Sequence, residues 1–316
     1  MKLAYHGLLL SVALIFAACG GGSGTTEITG SVPTATCDPS DSSTHAECGT
    51  VLVALTDADG DFLNYTVDVL SLELETANGR IVETLPRSTR INFTDYVDLA
   101  ELVAAAAIPP AVYVAGTIRL DYTNAEVFVE AGDESKEAVV KNMSGDVLTQ
   151  TELKIHLSNR NRLAITKGRA ALLQLDFDLA ASHEVHIVPT PADALSEQFI
   201  IAEVSPVDEK DIRVRGPLLS VNEDEMTYTV AIRPFHDRDG DFGRVPVHVT
   251  DETEFEVNEE VFAGVEGLRA LSAAGPGTLT VAGGTLNVAN HEFTASIVLA
   301  GSSVPGIERD AVVGNV

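Results

Sequence analysis

Two segments of the sequence carry aspartates at alternating positions around a glycine. They are Asp57, Asp59 and Asp61 around Gly60, and Asp237, Asp239 and Asp241 around Gly240. Carboxylate oxygens with this spacing can wrap a hard cation such as calcium. Neither segment has the glutamate that closes an EF-hand loop, because its position holds Asp68 in the first and His248 in the second. Asp-Gly is also a favoured hairpin turn. We therefore predict turn residues here, with weak calcium binding as the alternative.

Other titratable residues occur close together near the middle of the chain. His183 and His186 are three positions apart, and in a strand they point to opposite faces, which disfavours chelation of one ion. Asp176 and Asp178 alternate with apolar neighbours, a pattern typical of the solvent face of a strand. The sequence contains no G-x-S-x-G, P-loop, G-x-G-x-x-G or H-E-x-x-H segment, so it predicts no catalytic residues and no cofactor apart from possible calcium.

The three cysteines divide into two groups by position. Cys19 ends an apolar N-terminal run that follows Lys2 and is too short to span a bilayer. Cys37 and Cys48 lie in the polar stretch that follows. In an oxidising compartment we expect these two to form a disulfide. A metal pair is the alternative, although no further ligand cluster stands nearby in the sequence.

The residues that precede Cys19, Phe16-Ala17-Ala18, resemble the lipobox of bacterial lipoproteins, with Phe16 where the family prefers Leu. The resemblance implies a signal peptide over residues 1–18, diacylglycerol on the Cys19 sulfur and an acyl chain such as palmitate on the new amino terminus. Several acyl chains together anchor a protein stably in a membrane. Because no Asp follows Cys19, analogy favours the outer membrane of a Gram-negative bacterium. An ordinary cleaved signal peptide is the alternative.

The composition limits the possible partners. Acidic residues number 47 against 20 basic ones, for a net charge of −27. A surface with this charge repels nucleic acid, so we expect no nucleic-acid partner. The chain has no Trp, and its aromatic share is 5%, which disfavours sugar binding by stacking. Tyrosines can replace Trp in that role, so a glycan partner stays an alternative.

Most elements after the polar stretch are predicted strands. Short alternating apolar runs separated by turn residues indicate a β-sandwich. Tyr65, Val67 and Val69 alternate, whereas Leu70, Leu72 and Leu74 alternate on the opposite parity, so a bulge is expected between them. Asn78-Gly79 predicts a hairpin turn. The segment from Asp98 to the prolines Pro109-Pro110 predicts a helix with Asp98 as its cap.

Three blocks of sequence carry a family resemblance. They read VLVALTDADGDFLNYTVDVLSLEL from Val51, VDLAELVAAAAIPPAVYVAGTIRLDYTNAEVFV from Val97, and LLQLDFDLAASHEVHIVP from Leu172. Together they resemble the domain-of-unknown-function family 4382 of bacterial envelope proteins over about residues 50–205. The family places a glycine before the tyrosine of the central strand, whereas this chain has Gly116 after Tyr113. The resemblance brings no agreed activity.

A second β-rich unit is predicted after a boundary near Pro206–Lys210. V-R-G-x-L-x-S-V at residues 214–221 and T-x-F at 253–255 resemble the small barrel-like domain-of-unknown-function family 5666. A short helix is expected over Val261–Ala273. The last run, Asp310–Val316, has the pattern of the first strand of a further repeat, so truncation there is one alternative and a natural end is the other.

The predicted organisation is therefore all-β with one or two short helices. It comprises a signal peptide over 1–18, a flexible tether over 19–49 that begins with Gly20-Gly21-Gly22-Ser23-Gly24, a β-sandwich over 50–207 and a small β-barrel-like domain over 208–316. We expect a non-enzymatic, lipid-anchored cell-envelope protein that presents its β domains for binding or scaffolding an envelope protein or glycan. The alternatives are a surface glycan-binding module and a subunit of an envelope hydrolase whose scattered site leaves no motif.

Overall fold

The elements are those of an all-β protein, as predicted. The computed structural model describes residues 36–57, 62–157, 162–186, 192–196, 200–203, 210–234, 237, 240–287 and 292–305. Of the two units into which the chain divides, Met1–Thr34 and Ala35–Val316, the described residues all belong to the second. Among them, no helix is long and apolar enough to cross a membrane.

The first part of the described chain contains thirteen strands and one short α-helix. The strands are β1 (Gly49–Asp57), β2 (Phe62–Thr76), β3 (Ile81–Glu83), β4 (Thr89–Asn92), β5 (Ala100–Ile108), β6 (Ala111–Ala131), β7 (Glu134–Lys141), β8 (Gln150–His156), β9 (Leu163–Ile165), β10 (Ala170–Asp178), β11 (His183–His186), β12 (Ala192–Ser196) and β13 (Ile200–Glu203). Helix α1 (Leu179–Ser182) lies between β10 and β11, and 3-10 helices span Ser42–Glu47 and Phe93–Tyr96.

The second part contains seven strands and the longer helix. They are β14 (Ile212–Asn222), β15 (Thr227–Ala231), β16 (Arg244–His248), β17 (Glu254–Val257), β18 (Glu260–Ala263), α2 (Gly264–Ala274), β19 (Leu279–Leu286) and β20 (Phe293–Ala300), followed by a 3-10 helix over Gly301–Ser303. The predicted helix over Val261–Ala273 is thus confirmed, with its start three residues later. Gly275, with φ 84° and ψ 165°, follows its last residue, a conformation that glycine adopts at little cost.

Two sheets form the sandwich. The nine-stranded sheet has the order β11-β12-β7-β6-β2-β3, with β4 beside β2 and with β8 and β9 beside β6. The eleven-stranded sheet has the order β13-β10-β1-β5-β14-β15-β16-β20-β17-β18, with β19 beside β14 and β20. Apolar side chains of both sheets, such as Val53 and Phe177 from one and Tyr65 and Leu120 from the other, belong to one buried cluster.

The parity change along β2 appears in the structure as predicted. β2 pairs with β6 over nearly its whole length, and the register shifts between Val69 and Ser71 as well as between Thr66 and Asp68. These irregularities let apolar residues of both parities face the core. The predicted turn at Asn78-Gly79 joins β2 to β3, and Gly79 has φ 81°, a conformation that costs glycine little.

The helix predicted from Asp98 is wrong, because residues 100–108 form strand β5. β5 lies between β1 and β14 in the larger sheet, and Ala100–Val103 are fully buried. Alanine and leucine have high helix propensity, but propensity is a weak determinant against tertiary context, and a helix of this length is marginal by itself. Pairing with β1 on one side and β14 on the other satisfies the backbone along this run, so tertiary structure overrides local propensity.

Five strands of the second part close on themselves. β14 pairs with β15 and β19, β15 pairs with β16, and β20 pairs with both β16 and β19. Helix α2 follows the third of these strands and precedes the fourth, an arrangement of the OB-fold type of Greek-key barrel. Leu268 and Leu271 of α2 are buried, and Gly267 lies directly against the Phe255 ring. The predicted barrel-like architecture is therefore confirmed.

The described part of the predicted tether is folded. Cys37 and Cys48 form a disulfide with a Cα–Cα distance of 4.8 Å, as predicted, and both are buried. The Cys48 carbonyl accepts a hydrogen bond from the Gly168 N–H at 2.9 Å, and Glu47 pairs with Lys167 at 2.6 Å. This segment therefore packs on the turn before β10.

Candidate functional site: the charged junction

A group of charged side chains lies where the barrel meets the sandwich. The junction, as we call it, consists of Tyr96, Glu101, Lys210, Arg213 and Arg215. Its backbone frame is the parallel pairing of β14 with β5, in which Ile212 is opposite Ala100 and Arg213 is opposite Glu101. Residues 204–209, on which most of the predicted domain boundary falls, lie outside the described residues, so that boundary stays a prediction.

Strand alternation places the two arginines of the junction. Ile212, Val214 and Leu218 of β14 are buried, and the alternate residues Arg213, Arg215 and Pro217 are half-buried on the opposite face. Arg213 and Arg215 therefore point away from the barrel interior. This orientation brings Arg213 to β5 and leaves Arg215 two positions further along the same face.

Glu101 and Arg213 form an ion pair at the centre of the junction. Arg213 Nε donates to Glu101 Oε2, and the side chains are 1% and 28% exposed for Glu101 and Arg213 respectively. The Arg213 guanidinium also lies 5.9 Å from the centre of the Tyr96 ring, within the range of a cation–π contact. Glu101 Oε1 is buried without a hydrogen-bond partner among the described residues.

Burial and the opposite charges act against each other in this pair. Burial raises the pKa of the Glu101 carboxyl, and the positive charge of Arg213 opposes that rise. Burial lowers the pKa of Arg213, but the charge and hydrogen bond of Glu101 outweigh it, so the pKa of Arg213 is raised. Burial lowers the pKa of Arg215, while Glu101 raises it and Arg213 and Arg233 lower it. A buried ion pair of this kind adds little net stability compared with apolar residues, but removal of one partner leaves an uncompensated charge.

Lys210 makes a second contact across the junction. Its ammonium donates to Thr56 Oγ1 at 2.8 Å, to the Asp57 carbonyl at 2.7 Å and to the Val97 carbonyl at 2.7 Å. An ammonium has three donors, so all of them are used. Lys210 thus ties the residues just before β14 to the end of β1 and to the turn before β5.

The aspartates of the two acidic turns have separate surroundings. Asp57 Oδ1 accepts from the Leu179 N–H at 3.2 Å, Asp237 Oδ2 accepts from Thr89 Oγ1, and Asp241 Oδ1 accepts from the Gly243 N–H at 3.0 Å. Asp59, Asp61 and Asp239 lie outside the described residues. The described residues contain no group of three or more His, Cys, Asp or Glu placed to hold a metal. Calcium binding at these turns stays a prediction.

His183 belongs to a buried hydrogen-bond network in the sandwich core. His183 Nδ1 lies 2.9 Å from the Leu179 carbonyl, and Nε2 lies 2.8 Å from the Tyr65 hydroxyl. A carbonyl only accepts, so Nδ1 carries the proton and the Tyr65 hydroxyl donates to Nε2. The Tyr122 hydroxyl lies 3.2 Å from that of Tyr65. Burial lowers the pKa of His183 to about 4, so the imidazole is neutral at pH 7.

The carboxylates of β10 are less exposed than their pattern predicts. Asp176 and Asp178 lie on the face opposite to Leu175 and Phe177, but both are half-buried. Burial raises the pKa of Asp176, and Lys210 opposes the rise. Asp176 Oδ1 has no hydrogen-bond partner among the described residues.

The sequence interpretation missed the junction. Glu101 and Arg213 are 112 positions apart, and Glu101 stood inside the segment interpreted as a helix. One signal was present: Arg213 and Arg215 alternate with buried positions at the start of a strand, so two cations share one face. The lipidation residue Cys19 lies outside the described residues, and its role stays a prediction.

The fold and the junction define a class: an all-β protein in which a sandwich and a Greek-key barrel share one sheet. Comparison with known families adds that the family described as "Domain of unknown function (DUF4382)" matches residues 48–189. That stretch runs from just before β1 to beyond β11, and it confirms the resemblance of the first β unit. No curated protein and no solved structure matches the chain. The resemblances to the lipobox and to family 5666 stay predictions.

Proposed function

We propose that this chain is a non-enzymatic, lipid-anchored protein of the bacterial cell envelope whose β body is a rigid scaffold for binding an envelope partner. The proposal rests on one observation: the charged side chains of the junction are occupied in contacts between the two β units. Glu101, Arg213 and Lys210 are engaged in joining the barrel to the sandwich. Charged groups committed in this way serve rigidity rather than acid–base chemistry.

The proposed location in the cell envelope rests on the N-terminal residues. An apolar run followed by Ala17-Ala18-Cys19 has the pattern of a lipoprotein signal, and the glycine-rich residues after it suit a tether. The Cys37–Cys48 disulfide is in keeping with an oxidising compartment outside the cytoplasm. The acidic composition favours solubility of the tethered body.

Rigidity has a direct advantage for binding. A partner that docks on a surface which is already ordered does not bear the entropic cost of ordering it. Because β14 takes part in both the barrel and the larger sheet, surfaces on the two β units keep a fixed relation. The body can therefore present one extended face to a partner.

A glycan-binding module is the second candidate. The observation that favours it is the Greek-key barrel, an architecture of the type that other proteins use to bind oligosaccharides. A barrel fold by itself does not define a ligand, so this candidate depends on a site that accepts a saccharide.

The anchoring part of the proposal is tested by cell fractionation. We expect Cys19→Ala to move the protein from the membrane pellet to the soluble fraction, because it removes the sulfur that carries the diacylglycerol. Cys37→Ala is the matched control, since it removes a cysteine that bears no lipid and should leave the protein in the pellet. Pelleting of Cys19→Ala to the same extent as the wild type would show that the proposal is wrong.

The non-enzymatic part is tested on the purified chain. The hydrolase alternative predicts turnover of chromogenic ester, glycoside or peptide substrates, with loss of turnover when a half-buried carboxylate such as Asp176 is changed to Asn. We expect no turnover by the wild type. Turnover that disappears in Asp176→Asn would favour the hydrolase.

A further inference from the structure

Strand β18 is a free edge of the larger sheet. It pairs with β17 on one side and ends the strand order of that sheet, with no second neighbour in the part of the chain that the structure describes. Glu260 and Ala263 are exposed, and Val261 is 79% exposed, the largest fraction among the bulky apolar side chains that the structure describes. The edge is therefore accessible to another strand.

The turn between β17 and β18 determines which backbone groups face this edge. The turn residues Asn258-Glu259 have φ values of 52° and 70°, as in the two-residue hairpin turn with positive φ at both positions. Such a turn closes on a hydrogen-bonded pair, here Val257 with Glu260. Hydrogen-bonded and non-hydrogen-bonded pairs alternate along an antiparallel ladder. Val261, which is opposite Glu256, therefore directs its N–H and C=O away from β17.

The outward backbone groups of Val261 are suited to an added strand. β17 uses its own other side to pair with β20, where Glu256 is opposite Leu299, so the ladder continues inwards from β17 and stops outwards at β18. In an antiparallel pair one residue of the incoming strand takes both hydrogen bonds from the residue opposite. Peptides that add a strand to a free sheet edge derive their affinity from main-chain bonds of this kind.

Three carboxylates flank this edge. Glu254 and Glu256 of β17 are opposite residues of β18 and share the face that carries Val261, while Glu260 precedes Val261 in the chain. None of these three glutamates forms an ion pair within the described residues. Arg269 of the adjacent helix α2 is already paired with two other glutamates, at 3.2 and 2.7 Å. The edge therefore combines an unpaired main chain with uncompensated negative charge.

The negative charge selects among the strands that could pair here. Natural proteins protect exposed edges with charged side chains. Two β18 strands paired with each other would bring their glutamates together, and like charges across strands are destabilising. The net charge of −27 adds to the repulsion between copies. The same charge attracts a cationic strand, so the edge is closed to a second copy of the chain and open to a basic partner.

A long basic side chain also fits the surface beside Val261. An incoming residue opposite Val261 would place its side chain on the same face of the sheet. The methylene stem of a lysine or arginine can lie against the exposed valine while its charged head reaches the carboxylates of β17. Apolar contact and charge therefore favour the same kind of side chain.

From this edge we infer that β18 takes up an extended, lysine- or arginine-rich segment of an envelope protein as an additional antiparallel strand. The main chain of that segment pairs with Val261, and its basic side chains face Glu254, Glu256 and Glu260. The inference names the kind of partner for the envelope-binding role proposed above and rests on that role for biological context. The residues involved belong to none of the sites predicted from the sequence.

The test is calorimetric titration of the full chain with a synthetic peptide of alternating lysine and valine. We expect saturable binding that weakens as salt is raised. The same peptide with glutamate in place of lysine should bind at least tenfold more weakly. So should the lysine peptide with its lysine backbone N–H groups methylated, because it keeps the charge but loses the donors that pair with the edge.

Val261→Pro tests the main-chain contact from the side of the protein. Proline is tolerated in an edge strand where the lost N–H faces away from the ladder, so the variant should stay folded and bind the lysine peptide at least tenfold more weakly. Val261→Thr is the matched control, because it keeps the N–H and a branched side chain, and it should bind as the wild type does. Should Val261→Pro melt at a lower temperature, the methylated peptide tests the same bond on the wild-type chain.

The charge contact is tested by Glu256→Gln combined with Glu260→Gln, which should weaken binding of the lysine peptide at least tenfold. Glu134→Gln combined with Glu137→Gln is the control, because both residues are exposed on β7 of the other sheet and the net charge changes equally.

Equal weakening by the two pairs of substitutions would reduce the effect to general attraction and overturn the inference. Equal binding of the methylated peptide, or no binding of the lysine peptide, would overturn it as well. Fractionation of Cys19→Ala is independent of all these outcomes, so failure here is distinguishable from failure of the proposed anchor.

Discussion

At the scale of single residues, His183 shows how burial sets a protonation state. The ring is enclosed by Phe62 and Tyr65, with ring centroids 5.2 Å and 5.1 Å away. Nδ1 lies within hydrogen-bond distance of the Leu179 carbonyl, and Nε2 lies within hydrogen-bond distance of the Tyr65 hydroxyl. A charged imidazole could still donate from Nε2 to the oxygen of the Tyr65 hydroxyl, so desolvation of the charge by burial is what disfavours the protonated ring. The neutral ring is therefore part of the native core.

This network makes stability depend on pH. The pKa of His183 is lowered from 6.5 to about 4 in the folded chain, so between these values the unfolded chain binds more protons. Stability is then complete above about pH 6.5, falls as the pH drops towards 4, and changes no further through this residue below that. The full loss is about 3 kcal/mol.

We expect His183→Gln to reduce this loss, as measured by urea unfolding at pH 7 and at pH 4.5. The glutamine can accept from Tyr65 but does not take up a proton in this range. His156→Gln is the control, because His156 is exposed on β8, and its unfolding should follow the wild type at both pH values. Identical pH dependence of His183→Gln and the wild type would contradict the assignment.

At the scale of elements, the strands with clear alternation were predictable and the pairing partners were not. The parity switch in β2 and the turn at Gly79 were visible because both depend on neighbouring residues. Helix α2 was also visible from its local pattern. β5 was not, because its alanines and its glutamate favour a helix until β1 and β14 are placed beside it. The Lys210 contacts join positions more than a hundred residues apart, and no local pattern indicates them.

The β5–β14 pair carries the next prediction. Glu101→Ala should lower the free energy of unfolding by about 3–5 kcal/mol, because Arg213 is left without its counter-charge in a largely buried setting. Glu101→Leu combined with Arg213→Met should recover most of that loss, since the two apolar side chains can pack together. Chemical denaturation of both variants gives their free energies of unfolding.

Glu152→Ala is the control for this pair. Glu152 forms an exposed ion pair with Arg119, and such pairs contribute at most about 1 kcal/mol. A loss in Glu101→Ala no larger than in Glu152→Ala would show that the junction ion pair has no structural role.

At the scale of the whole molecule, the question is whether the two β units stay associated after the chain is cut between them. The sequence predicts a protease-sensitive joint at residues 205–211, between two β units. The structure pairs the residues that follow it with β5, through Ile212 and Arg213. A cut at the joint should therefore leave the two fragments associated.

Limited proteolysis followed by size-exclusion chromatography tests whether the two fragments stay associated. We expect the nicked protein to elute with the intact chain, and its fragments to separate only in denaturant. Lys210→Met should make separation occur at a lower denaturant concentration, because three hydrogen bonds from a charged donor are lost, each contributing about 1.5–3 kcal/mol. Fragments that separate without denaturant would contradict the role assigned to the junction.

The position of β5 in the larger sheet also constrains the order in which the chain can fold. Its neighbour β1 pairs on the other side with β10, where Thr50 is opposite Ala170, and β5 itself pairs with β14 more than a hundred residues later. Contacts this distant in sequence slow folding. A chain that folds from its amino end holds an unpaired β5 edge until the start of the barrel has followed. Because exposed strand edges invite pairing with other chains, the interval between the appearance of β5 and that of β14 is when this protein is most open to self-association.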